Sequence, residues 1–169
     1  MIMYPMLSND FLQWAIAEFE ASNFEKALVA FETLLEIQDS DIYGGVVDTA
    51  VIFNTGLTAY NAKQYDKAIE YYDKCIAMGY EASSPYIRKY LVYNDLGDME
   101  NAEKVLTEAF NKFPEDQGVL LQLIDFYLIN QKDQEAFEYI SMAKSKDENN
   151  FSLFWAEGVL YMKQSKYDE

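Results

Sequence analysis

The segment Phe53-Asn54-Thr55-Gly56-Leu57-Thr58-Ala59-Tyr60 is separated by four residues from the segment Tyr65-Asp66-Lys67-Ala68-Ile69-Glu70-Tyr71-Tyr72. In both segments apolar residues recur at three- and four-residue steps, which is the spacing of one face of an α-helix. The two segments therefore predict two helices joined by a short turn.

The same pattern returns along the chain at an interval of 34 residues: Gly56 and Gly158 are 102 residues apart, which is three times 34. Three further series with a step of 34 are Tyr93, Tyr127 and Tyr161; Tyr86, Leu120 and Phe154; and Ala68, Ala102 and Ala136. A fixed period of roughly 20–50 residues is typical of stacked structural repeats. The period predicts helix pairs over 8–21 with 25–38, 47–62 with 65–78, 83–96 with 99–112, and 117–130 with 133–146, and a further first helix over 151–164.

A helix–turn–helix unit of this length, with a small residue in its first helix and an A-x3-apolar motif in its second, resembles the tetratricopeptide repeat. The motif occurs as Ala27-x3-Phe31, Ala68-x3-Tyr72, Ala102-x3-Leu106 and Ala136-x3-Ile140, with Pro114 in the late proline position. The resemblance covers about residues 8–169 and implies an all-α fold, a right-handed α-solenoid of antiparallel helix pairs with about four and a half repeats.

We expect one domain over residues 1–169. The expected repeats are about 8–39, 49–82, 83–116 and 117–150, with a partial repeat at 151–169. Ala27 and Ala68 are 41 residues apart, seven more than the period, so an insertion is expected within about 38–48, where Gly44-Gly45 indicates a loop.

The chain is strongly acidic, with 29 acidic and 13 basic residues and a net charge of −16. Such a field repels a phosphate backbone, which argues against a nucleic-acid partner. No apolar run approaches the roughly 20 residues that a membrane-spanning helix needs. The acidic residues are scattered rather than clustered, so we interpret them mainly as a solubilising surface.

The sequence argues against catalysis and against a metal or cofactor. It has no histidine, which is the commonest general base and zinc ligand, and only one cysteine. No glycine-rich phosphate loop occurs, and the many carboxylates fit exposed helix positions. We predict that Cys75 is a buried structural thiol.

In the tetratricopeptide family the first helix of each pair lines a concave face that binds ligands, so the resemblance implies an apolar groove with few polar groups. The predicted groove residues are Leu12, Ile16, Phe19, Phe53, Leu57, Tyr60, Ile87, Arg88, Leu91, Leu121, Asp125, Leu128 and Trp155. Chaperone-binding members grip a C-terminal carboxylate with Lys and Asn at positions that here hold Leu12 and Ile16, so a chaperone-tail receptor is not expected. Two explanations of the groove stay open: a partner peptide or helix lies in it, or another part of the chain or a second copy covers it.

The leading interpretation is a non-catalytic scaffold for another protein. The alternatives are a regulatory module, or a surface or lipoprotein-type fragment that handles peptides or glycans. Residues 167–169 match 65–67, and the sequence stops where the next Ala is expected, which predicts a fragment of a longer protein with self-association through 151–169. The compartment is undetermined: the cytoplasm is slightly favoured, and the periplasm or cell surface stays open if a signal peptide was removed.

Overall fold

The computed structural model describes residues 3–41, 46–80, 82–146, 154, 157–158 and 160–162. Within these ranges the regular secondary structure is helical, which confirms the all-α prediction. The helices are α1 (Met3–Glu20), α2 (Phe24–Asp39), α3 (Thr49–Asn61), α4 (Tyr65–Ala77), α5 (Ser84–Leu96), α6 (Met99–Lys112), α7 (Gln117–Ile129) and α8 (Asp133–Lys146). The described residues among 154–162 are also helical. None of the described helices combines the length and the apolar character that crossing a membrane requires.

Most helices begin and end close to where the sequence predicts. The exception is α1, which begins at Met3 rather than at residue 8. Pro5 lies within its first turn, where the missing N–H removes no intrahelical hydrogen bond. At α5 the N-cap residue is Ser83, and Pro85 lies in the first turn.

The turns after α1, α3, α5 and α7 each contain one residue with left-handed backbone. These residues are Ser22, Lys63, Gly97 and Gln131, with φ of 60°, 57°, 72° and 59°. They occupy the same position of the repeat, and one of them is a glycine, Gly97, which adopts this backbone without steric cost. Backbone hydrogen bonds of 2.8–2.9 Å close three of the turns: Asn23 N–H to Glu18 O, Gln64 N–H to Ala59 O, and Lys132 N–H to Tyr127 O. This six-to-one bond is the Schellman ending of a helix.

The alanine series marks equivalent buried positions, as its spacing predicts. Ala27, Ala68, Ala102 and Ala136 are all fully buried. The backbone N–H of each alanine donates to the carbonyl oxygen of the residue four positions earlier. In every case that residue comes directly before the second helix of the pair. The 34-residue period is therefore a period of the backbone as well as of the sequence.

The contacts divide the chain into two compact units, Met1–Gly97 and Asp98–Glu169. In the first unit each helix packs against the next, from α1 to α5. In the second unit α6 packs against α7, and α7 against α8. Packing of each helix on its neighbour in sequence is the arrangement of an α-solenoid.

The two glycines that recur in the first helix, Gly56 and Gly158, differ in what surrounds them. A Cβ atom added to Gly56 would lie 2.8 Å from Cε1 of Tyr72 and 3.2 Å from Cβ of Tyr71, so α3 and α4 approach closely there. A Cβ added to Gly158 would meet no atom within 4 Å. The segment expected to pair with Gly158 lies outside the described residues, as do 42–45 of the predicted insertion.

Candidate functional site

A cleft of about 280 Å³ lies among α1, α2 and α3 and contains three of the predicted groove residues. It is lined by Ile16, Phe19, Glu20, Phe31, Asn54, Leu57 and Thr58. The sequence predicts Ile16, Phe19 and Leu57 at this surface, and the structure brings them together. The additional lining residues are Glu20, Phe31, Asn54 and Thr58.

The walls of the cleft are mainly apolar and held in place. The Phe19 ring meets the Phe24 ring edge-on, with centroids 5.4 Å apart and an interplanar angle of 70°. The Thr58 hydroxyl donates to the Asn54 carbonyl oxygen at 2.7 Å, so its polar group is satisfied within α3. Asn54 is exposed, and its side-chain amide has no hydrogen-bond partner in the described part of the chain. The cleft can therefore take an apolar group beside a free amide.

Tyr60, another predicted groove residue, is tied to α5. Its hydroxyl donates to Oδ2 of Asp95 at 2.7 Å. This hydrogen bond and burial raise the pKa of Tyr60 to about 12. Tyr60 therefore stays protonated near neutral pH and links α3 to α5 within the first unit.

Two predicted groove residues pack inside the first unit rather than line the cleft. Phe53 stacks on Tyr80 with centroids 5.8 Å apart, and its ring lies 5.9 Å from that of Tyr72. Leu12 packs against the buried cluster that contains Phe31 and Leu34. Both side chains contribute to helix packing, which the concave-face pattern alone does not distinguish from ligand contact.

The groove residues predicted on α5 are half-buried and do not line this cleft; they are Ile87, Arg88 and Leu91. In the second unit Leu121 is half-buried, Leu128 is buried and Asp125 is exposed.

Partial desolvation raises the pKa of the Asp125 carboxyl. Trp155 lies outside the described residues.

The sequence did not predict a larger cleft, of about 740 Å³, against α2 and α4. It is lined by Glu32, Leu35, Glu36, Asp39, Val47, Ile52, Tyr71, Lys74, Ala77 and Met78. Glu32 accepts hydrogen bonds from Lys67 Nζ at 2.6 Å and from the Tyr71 hydroxyl at 3.0 Å. A signal existed in the sequence, because Glu32, Glu36 and Asp39 share one face of a helix.

Cys75 is fully buried, as predicted. Its Sγ lies 3.8 Å from the carbonyl oxygen of Thr49, and burial raises the thiol pKa to about 11. Among the described residues no group of three or more His, Cys, Asp or Glu side chains is placed to hold a metal ion.

The tetratricopeptide repeat family matches residues 50–78, which include α3 from its second residue onward and all of α4. No curated protein matches the chain. Solved structures that resemble it share little sequence, and so they bear on the fold alone.

Three such structures are tetratricopeptide or related proteins. A tetratricopeptide repeat protein from Parabacteroides merdae has a TM-score of 0.77 at 13% identity, over 96% of this chain and 62% of that one. YrrB, described as a tetratricopeptide protein with an unusual peptide-binding site, has a TM-score of 0.61 at 17% identity, over 92% and 76%. MamA from Desulfovibrio magneticus has a TM-score of 0.68 at 15% identity, over 96% and 88%.

This chain therefore spans less than two thirds of the Parabacteroides protein. Proteins built on these repeats are generally non-catalytic modules that bind other proteins. One helix pair of the chain thus matches the tetratricopeptide repeat family, and the fold of the chain is similar to that of solved tetratricopeptide repeat proteins.

Proposed function

We propose that this chain is a non-catalytic interaction module whose first unit binds a peptide or helix of a partner protein. The cleft among α1, α2 and α3 receives an apolar side chain of that partner. The observation that carries the proposal is the combination of Ile16, Phe19 and Leu57 around one opening, beside the exposed amide of Asn54.

The size of the cleft supports a peptide rather than a small molecule. Its volume of about 280 Å³ is just below the range of small-molecule sites, which is roughly 300–1,000 Å³. A cleft of this size accommodates one or two anchoring side chains, which commonly supply most of the affinity at an interface. The Asn54 amide offers both a donor and an acceptor to a peptide backbone.

Display selection of peptides on the full chain, followed by titration of synthetic peptides, tests the proposal. Ile16→Glu and Leu57→Glu place a charge in the cleft and are expected to weaken binding of the selected peptides by about tenfold or more. Ile16 is already 38% exposed, so its variant is expected to fold normally.

Val29→Glu is the matched control, because Val29 is 56% exposed on α2 and does not line the cleft. Its affinity for the same peptides is expected to stay within about twofold of the parent. Circular dichroism checks the fold of each variant. Equal affinity for both cleft variants and the control, or selection of no peptide at all, contradicts the proposal.

A further inference from the structure

The cleft against α2 and α4 is a second surface of the first unit, separate from the cleft among α1, α2 and α3. Its volume of about 740 Å³ is more than twice the 280 Å³ of the α1–α3 cleft. None of the described residues that line one cleft lines the other. The larger cleft also falls within the roughly 300–1,000 Å³ that is usual for ligand sites.

The floor of this cleft is part of the hydrophobic core. Ile52 of α3 and Tyr71 of α4 are buried in one cluster, and Leu35 and Val47 pack against it. All four residues line the cleft. Met78, which is 50% exposed, adds an apolar side chain at the end of α4. An apolar group that enters between α2 and α4 therefore meets core side chains and leaves water, which is favourable.

The wall formed by α2 is acidic. Glu32, Glu36 and Asp39 follow one another at steps of four and three residues, so they share one face of the helix. Glu32 already accepts hydrogen bonds from Lys67 and Tyr71. Glu36 and Asp39 are exposed, and neither has an ion pair or a hydrogen bond to another described residue. Two carboxylates beside the apolar floor are therefore available to a ligand.

The one lysine that lines the cleft does not offset these carboxylates. Lys74 Nζ lies 2.8 Å from Oε1 of Glu70, which is outside the lining, and 4.9 Å from the centroid of the Tyr71 ring. Burial, the hydrogen bond from Tyr71 to Glu32 and the charges of nearby carboxylates raise the pKa of the Tyr71 hydroxyl. The electrostatic potential in the cleft is therefore negative, and it favours a cation.

We propose that this cleft binds a basic amphipathic segment of a partner protein, with an apolar side chain on the floor and a neighbouring Lys or Arg paired with Glu36 and Asp39. The lining covers seven helical steps on α2 and seven on α4, from 32 to 39 and from 71 to 78. At 1.5 Å per residue this is roughly 10 Å, enough for two side chains next to each other.

The two parts of the segment have different roles. Exposed ion pairs add little affinity, so burial of the apolar side chain supplies most of it. The carboxylates select the sign of the partner's charge and accelerate association. An acidic segment of the same hydrophobicity would bring like charges together and bind weakly. This proposal does not rest on the α1–α3 cleft, because it concerns other residues and another ligand chemistry.

Four short acetylated and amidated peptides test the proposal on the full chain. They combine leucine with lysine, leucine with glutamine, leucine with glutamate, and glycine with lysine, all in the same alternating pattern. With methionine methyl groups labelled with carbon-13, the leucine–lysine peptide should shift the Met78 signal saturably. It should bind at least about fivefold more tightly than each of the other three peptides. Met78→Ala assigns the signal, and Met99, which is 37% exposed on α6, is the methionine whose signal should stay in place.

A pair of double variants with the same net charge separates the cleft from the general acidity of the chain. Glu36→Gln with Asp39→Asn should weaken binding of the leucine–lysine peptide about fivefold at low ionic strength. In about 1 M salt, where the Debye length is about 3 Å, this difference should disappear. Glu25→Gln with Glu108→Gln removes two exposed carboxylates that line neither cleft, and its affinity should stay within about twofold of the parent. Circular dichroism checks that each variant folds.

The proposal is overturned if the leucine–lysine peptide gives no saturable shift of the Met78 signal, or if the neutral, acidic or glycine–lysine peptide binds as tightly. It is also overturned if the two double variants bind equally, or if their difference is unchanged in about 1 M salt. Ile16→Glu should retain binding at Met78, because Ile16 lines the α1–α3 cleft. The two binding surfaces can therefore fail separately.

Discussion

Adding one methyl group at residue 56 is expected to destabilise the first unit, although alanine is a better helix former than glycine. In Gly56→Ala the new Cβ would lie 2.8 Å from Cε1 and 3.0 Å from Cδ1 of Tyr72. Carbon atoms prefer a separation of roughly 3.5–4.0 Å, so the ring or a helix must move by about 0.7 Å. The Tyr72 ring is fully buried and packs against Phe53, which opposes that movement.

The net effect follows from two opposing contributions. Overpacking of this kind costs about 2 kcal/mol, within a usual range of roughly 1–3 kcal/mol. Replacing glycine by alanine inside a helix stabilises it by about 1 kcal/mol. Gly56→Ala should therefore lower the free energy of unfolding by about 1 kcal/mol, which corresponds to a melting temperature about 3 °C lower in a chain of this size.

Urea unfolding followed by far-ultraviolet circular dichroism measures this change, and a second background identifies its cause. In a Tyr72→Leu chain the smaller, flexible side chain leaves room at residue 56, so the same Gly56→Ala change should become neutral or stabilising by up to about 1 kcal/mol. Gly56→Leu should cost more than Gly56→Ala in the parent. If Gly56→Ala stabilises the parent, or if its effect is the same in both backgrounds, the close approach of α3 and α4 at Gly56 is not what constrains this position.

Three further predictions concern other parts of the chain. Lys63→Gly should raise the free energy of unfolding by about 0.5–1 kcal/mol, because Lys63 has a φ of 57° that glycine adopts more easily; a lower urea midpoint would contradict this. Alkylation of Cys75 by iodoacetamide at pH 8 should be about 100-fold slower in the folded chain than for a free thiol, because a pKa of about 11 leaves little thiolate. A folded chain that is labelled as fast as the chain unfolded in urea would contradict this prediction. The free energy of unfolding should be constant from about pH 6 to 8 and fall from about pH 9 to 12. The pKa values of Cys75 and Tyr60 are raised to about 11 and about 12 in the folded chain, so the unfolded chain loses these protons at a lower pH. Urea midpoints that rise from about pH 9 to 12 would contradict this prediction.

The turn residues show how far the repeat pattern reaches. The 34-residue step correctly predicted the helix pairs and the buried alanines, because each pair uses the same apolar face. The left-handed backbone at Gly97 falls on a glycine, which adopts it readily. The step did not predict the same backbone at Ser22, Lys63 and Gln131, because their side chains tolerate that conformation only when the surrounding turn enforces it.

The candidate site was predictable in part for the same reason. Ile16, Phe19 and Leu57 come together because their positions recur on the first helix of successive pairs. Phe53 lies one helical turn before Leu57 on the same face of α3, yet it packs against Tyr80 instead. Position within a repeat assigns a side chain to a face, but only its neighbours decide whether that face is covered.

The sequence by itself determined that this protein is a stack of helix pairs, because hydrophobic periodicity and the 34-residue repeat are local properties that survive without knowledge of any contact. The tertiary structure alone decided what the side chains meet: that the Tyr60 hydroxyl donates to Asp95, that a larger cleft opens against α2 and α4, and that the Tyr72 hydroxyl is buried without a hydrogen-bond partner among the described residues. These features join residues on different helices, and the distances between such residues depend on how the helices pack rather than on the period of the sequence.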